Sequence, residues 1–309
     1  MDKLQLLLKK LRLLCLFAGF VFIAILLRSL FQSPAWLEAH VSLLGTSLAI
    51  MVGLLGNAVI GATFAHLIGK TAPKSSQLSR IKAYYYTQIV KYVPGRIAAL
   101  LAQKSLLEGN STMSATIISN IELIGISAWL CSGAAISLIY FLHSVVISVA
   151  VALVTVLSGA FLIRADWNSV VVRLFRYFSA KPFDLLPDSK PTPLPPFEAL
   201  SLSAGLFLLP AFSIYLLVAS GMRMDENAAI AFTALLLLSW VGGTLAFIFP
   251  AGIGIREFVF YSLGRSVTSM GDPEILAGVA LMSRATQISI DLLGSAIFAA
   301  WFRLRGSPK

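Results

Sequence analysis

Between Val41 and Gly69 the chain makes one long, mostly apolar run in which His66 is the only titratable side chain. A helix crosses the roughly 30 Å hydrocarbon core of a bilayer with about 20 such residues, and a water-soluble fold has little use for a longer stretch without a charged face. The pattern returns at about 113–140, 144–163, 198–220, 229–249 and 274–302, and a shorter run from Leu13 to Leu27 precedes them. Composition agrees, with 58% hydrophobic and only 12% charged residues, about half the charged share of a soluble domain. The expected fold is all-α, a polytopic integral membrane bundle.

Charge placement orients the bundle. Lys3, Lys9, Lys10 and Arg12 precede the first run, which resembles a signal peptide but is followed by no small-residue cleavage site. Arg28 and Trp36 look like interfacial anchors, so a retained first helix with a cytoplasmic amino end is expected. Two basic clusters follow: Lys70, Lys74, Arg80 and Lys82, then Arg164, Arg173, Arg176, Lys181 and Lys190. The positive-inside rule puts both in the cytoplasm. The net charge of +10 is spent in these clusters, where it orients helices and meets anionic lipid, so nucleic acid is not expected as a partner.

Only an even number of crossings fits between two loops on one side. The runs at 113–140 and 144–163 supply two, so residues 83–108 must dip in and return or lie flat. Residues 250–270 leave two alternatives: they cross, giving eight spans and a cytoplasmic tail, or they re-enter and leave the tail outside. The expectation is seven to eight transmembrane helices plus one or two broken or re-entrant segments. They form one domain over 1–309, with a first half at about 1–163 and a second at 198–302. In the 164–197 connection, Trp167, Val170, Val171, Leu174 and Phe178 recur at helical spacing as in a headgroup-level helix, and a proline-rich linker follows.

Against this apolar background stand Lys91, Arg96, Glu122, Arg256, Glu257, Arg284 and Asp291. An ionisable group at the bilayer centre costs roughly 2.5–3.5 kcal/mol even on the lenient insertion scale, so such groups face a partner, water or a substrate. Two of them follow helix breaks, Arg96 after Pro94-Gly95 and Arg256 after Pro250-Ala251-Gly252-Ile253-Gly254. A half-helix starting there offers free N–H groups and a positive dipole end beside a guanidinium, a combination suited to phosphate. Arg284, Gln287 and Asp291 fall at i, i+3 and i+7, and Ser119, Glu122 and Gly125 also share a helix face.

The candidate substrate-binding set is therefore Lys91, Pro94, Gly95, Arg96, Glu122, Gly252, Gly254, Arg256, Glu257, Arg284, Gln287 and Asp291. The competing reading is internal pairing, Arg256 with Glu257 or Asp291 and Arg284 with Glu122 or Asp291. Gly53, Asn57 and Gly61 read as close helix packing, and His66 and His143 as interfacial residues. The two halves share an order of proline-glycine break, basic residue and polar helix face, as duplicated transporter units do.

Lys91-Tyr92-Val93-Pro94-Gly95-Arg96-Ile97, the Glu108-Gly109 turn followed by Glu122, and Phe249-Pro250-Ala251-Gly252-Ile253-Gly254-Ile255-Arg256-Glu257 together resemble the lysylphosphatidylglycerol synthase transmembrane, or flippase-like, domain family. The resemblance covers about residues 10–302. It implies a multi-pass protein of a bacterial plasma or inner membrane that handles phospholipid. It further implies a stand-alone member, since only Arg303–Lys309 follow the last run where fused members carry an aminoacyl-transferring domain. Ala102-Gln103-Lys104 departs from the glycine-arginine pair of many relatives.

Three function classes follow. The first is a lipid translocase, moving or binding an anionic phospholipid or a polyprenyl-phosphate-linked lipid without ATP, since no Gly-x-x-x-x-Gly-Lys-Ser/Thr loop occurs. The second is a non-transporting subunit that presents lipid to a modifying enzyme. The third is an intramembrane transferase using the acidic residues Asp225, Glu226, Asp272 and Glu274. No catalytic motif, metal site or cofactor is expected. Cys15 and Cys131 read as packing residues.

Overall fold

The computed structural model describes residues 41–90, 96–107, 113–165, 194–245, 254–267 and 273–304. The first helix expected at 13–27, the headgroup-level helix and proline linker, the Glu108-Gly109 turn, and Lys91, Pro94, Gly95 and Gly252 lie outside the described residues.

Every regular element among the described residues is helical. The helices are α1 (Leu43–Thr71), α2 (Gln77–Val90), α3 (Arg96–Leu106), α4 (Met113–Phe141), α5 (Val145–Arg164), α6 (Pro196–Leu216), α7 (Glu226–Leu245), α8 (Ile255–Val267) and α9 (Pro273–Leu304). Helix α6 continues into a π-helical turn, Leu217–Gly221. Six of them, α1, α4, α5, α6 with its π turn, α7 and α9, are long and apolar enough to cross a membrane. The protein is a membrane protein, and those six coincide with the apolar runs read from the sequence. Helices α2, α3 and α8, with 14, 11 and 13 residues, are about 16–21 Å long and fall short of the roughly 30 Å core.

Backbone contacts divide the chain into two compact units. Unit 1 draws on residues up to Gly53, Cys131–Ala152 and Leu209–Ser289; unit 2 on Leu54–Leu130, Leu153–Leu208 and the chain from Ile290 on.

In unit 1, the start of α1 meets the end of α6, where the Ser42 N–H donates to Gly221 O at 2.6 Å. Lower in the same pair the Ser213 hydroxyl donates to Ala49 O at 2.7 Å. The core joins Val218 and Met222 to Ala228, Phe232 and Leu236 of α7, Phe260 of α8 and Leu276, Ala277 and Ala280 of α9. These contacts gather the end of α6, the start of α7 and the start of α9 at one end. The carboxyl-terminal part of α8 returns there too, because Gly264 abuts Leu276. Helix α8 therefore runs back along α7 to the end from which α7 set out. Gly242 and Gly243 allow this approach: a methyl on Gly243 would stand 3.0 Å from the Arg256 Cβ.

In unit 2, the ends of α1 and α5 are tied by Lys70, whose ammonium donates to Ile163 O at 2.6 Å and Ala165 O at 3.0 Å. Arg80 folds over the end of α1, donating to Ser75 O at 2.6 Å, Pro73 O at 3.2 Å and the Ser75 hydroxyl at 2.9 Å. Lys70 satisfies carbonyls at the end of α5, Arg80 those of the 73–75 loop just past α1, and each cation opposes the negative end of a helix dipole. Reading them as loop charges was incomplete: Lys70 is buried inside the last turn of α1. Burial lowers the Arg80 pKa. The Lys82 ammonium lies 4.7 Å from the Phe302 ring centre, which brings the end of α9 to the same end of this unit. Helices α2 and α3 pack on each other and turn back toward the start of α4, where the Thr71 hydroxyl is 2.8 Å from that of Ser119.

Candidate functional site

The block Gly254-Ile255-Arg256-Glu257 starts α8, and its local chemistry explains its composition. Gly254 is the N-cap, with φ 84°, a backbone region that costs any residue with a Cβ roughly 1–2 kcal/mol. Its carbonyl accepts the Phe258 N–H at 2.9 Å, and its own N–H donates to Glu257 Oε2 at 2.8 Å. Glu257 is thus the third helical residue reaching back to the cap, half of a capping box, and its charge faces the positive end of the dipole. The free N–H cradle expected after Gly254 is consequently filled in part by the chain's own carboxylate.

Opposite that carboxylate stands α9. Glu257 Oε1 lies 3.8 Å from Arg284 Nε, with Glu257 only 2% exposed. That distance is an ion pair but too long for a hydrogen bond, and Oε1 accepts none. The pair adds Glu257 to the partners the sequence suggested for Arg284, because the capped start of α8 brings Glu257 against α9. Coulomb attraction at this range is on the order of 4 kcal/mol at an effective dielectric of about 20, offset by the desolvation of both groups. Arg256, one residue before Glu257, is also buried, with its Cβ against Gly243. Gln287 is half-buried on the Arg284 face of α9, one turn further on.

Helix α9 runs without a break from Pro273 to Leu304, so Arg284, Gln287 and Asp291 do share a face. Asp291, 1% exposed, belongs to unit 2. There the Tyr84 hydroxyl donates to Asn57 Oδ1 at 2.5 Å, and Gly294 lets α9 approach the Asn57 amide. Tyr84 sits on α2, outside the six long helices, and its ring is buried. The Ser295 hydroxyl donates to Tyr85 O at 2.9 Å, and the Tyr85 and Phe298 rings stack 4.9 Å apart.

Also in unit 2, the Asn120 amide donates to Gln103 Oε1 at 2.7 Å and Gln103 donates to the Thr87 hydroxyl at 3.1 Å, joining α4, α3 and α2. Glu122, two residues past Asn120 on α4, is also buried, at 6% exposure. Ser119 shares its buried face, whereas Gly125 meets open space. Arg96 opens α3 as its first residue.

Among the sequence candidates the structure therefore joins Gly254, Glu257 and Arg284, with Arg256 adjoining, and places Glu122 and Asp291 in the other unit. Sequence reading took Asn57 for packing and Gln103 for a departure from a pattern. Both are buried hydrogen-bonding residues, and an amide inside an apolar run was the available signal. His66, read as interfacial, is half-buried with its Nε2 enclosed and accepting nothing. No group of three or more metal-ligating side chains occurs among the described residues. No protein-family model, curated protein or solved structure matches the chain.

Proposed function

We propose that this protein binds the phosphate of an anionic lipid headgroup, from a phospholipid or a polyprenyl phosphate, and carries it across the bilayer without a nucleotide motor. The observation behind the reading is the Glu257 carboxylate of unit 1, buried and facing the partly buried Arg284, with Arg256 buried one residue before it. Arg284 is the twelfth residue of α9, about 17 Å from its start in a helix about 48 Å long, so a roughly 30 Å core that α9 crosses takes it in. Charge inside that core is costly, and guanidinium groups are suited to hold two phosphate oxygens at once. The resemblance of the two proline-glycine blocks to the flippase-like family supports the same reading.

The topology that goes with it has α7 and α8 as one re-entrant hairpin and α2 and α3 as another. Each hairpin makes no net crossing. The carboxyl terminus then shares a side with the 72–76 loop, and α9 is the last crossing. The chain's acyl-bearing substrate stays in lipid while its headgroup follows the buried polar residues.

The test is transfer of a fluorescent phosphatidylglycerol between leaflets of reconstituted vesicles. Arg256→Ala and Arg284→Ala are expected to abolish transfer while the proteins still reconstitute. Transfer at the wild-type rate in both variants would remove the route, and lipid bound without transfer in the wild type would fit a lipid-presenting subunit instead.

A further inference from the structure

We infer that Glu257 is an internal anion that occupies the phosphate position between ligands and is displaced when a phosphate oxyanion arrives. The inference rests on the headgroup reading above and changes the part Glu257 plays in it, from contact to competitor. Three features of one carboxylate carry it. Oε2 takes the Gly254 N–H at 2.8 Å, the donor a phosphate at this helix start would use. Oε1 faces Arg284 at 3.8 Å, the guanidinium that would grip the same phosphate. Oε1 is also buried with no hydrogen bond, so the carboxylate fills the place of an anion without making the contacts an anion there could make.

A tetrahedral oxyanion has more acceptor oxygens than a carboxylate and can meet the guanidinium edge-on with two parallel hydrogen bonds. The resident carboxylate sets its charge against the Arg284 guanidinium while no ligand is present. It also weakens binding by competing for the same donors. Such a site holds its ligand loosely enough to release it, which a carrier needs and a storage protein does not.

The experiment measures binding of dihexanoyl phosphatidylglycerol and, separately, inorganic phosphate to the purified full-length protein by titration calorimetry. Glu257→Gln keeps an oxygen for the Gly254 N–H and removes the competing charge. It is expected to bind phosphatidylglycerol roughly tenfold more tightly than wild type and to transfer it more slowly, whereas Arg284→Ala loses binding. A like gain with inorganic phosphate shows that the bare oxyanion suffices; a gain with the lipid alone assigns the site to headgroups, and either supports the inference. Glu257→Gln binding no tighter than wild type, with Arg284→Ala defective, overturns the inference and leaves the headgroup reading intact. Equal binding in all three proteins overturns both. If Glu257→Gln does not fold, infrared difference spectra of the wild type with isotope-labelled glutamate decide. A shifted carboxylate stretch on adding phosphatidylglycerol supports displacement, and an unchanged one overturns it.

Discussion

Lys70 is one residue from the end of an apolar helix of 29 residues, and its ammonium finds two carbonyls at the end of another. A hydrogen bond from a charged donor contributes about 1.5–3 kcal/mol, and a helix terminus adds a favourable dipole. Lys70→Met keeps the apolar stem and removes both bonds. It should lower stability by about 2–3 kcal/mol, read as a drop in the thermal midpoint of the detergent-solubilised protein, with Lys70→Arg recovering part of the loss. An unchanged midpoint in Lys70→Met would mean that the contacts contribute nothing. That Lys70 is a cation near a membrane surface was legible from charge clustering. That it ties two helix ends was not, because its acceptors lie more than 90 positions away in the chain.

At the scale of elements, α8 exists as a separate helix because Gly254 adopts φ 84° and Glu257 closes the cap behind it. Gly254→Ala keeps every side chain around it and adds one methyl in a left-handed backbone, so it should destabilise by about 1–2 kcal/mol. Hydrogen exchange should report this as faster opening of the first turn of α8, with α9 unaffected; equal opening across both helices would assign the strain elsewhere. The break before α8 was legible because glycine and proline interrupt an apolar run. The direction of α8 was not, since Gly243 and Gly264 determine it by admitting Arg256 and Leu276, and a small residue does not announce its neighbour.

For the whole molecule, parity follows from contacts within each unit. Lys82 touches Phe302, and Leu276 shares a core with Met222 and Ala228. In a background with Cys15 and Cys131 replaced by alanine, single cysteines at Lys74 and Arg303 should react with a membrane-impermeant maleimide from one side. Cysteines at Asp225 and Glu274 should react from the other side, because α9 is long enough to cross between them. Lys74 and Arg303 labelled from opposite sides would refute the arrangement. The sequence by itself determined that the chain is a helical membrane protein and where its six long described helices lie. Hydrophobic length is a local property, and nothing distant can make an apolar run of that size soluble. Only the tertiary structure decided that α8 turns back along α7 and that Arg284 meets Glu257, a pairing the sequence did not suggest. An ion pair depends on which helix faces bury each other, and close packing of glycines against side chains far along the chain sets those faces.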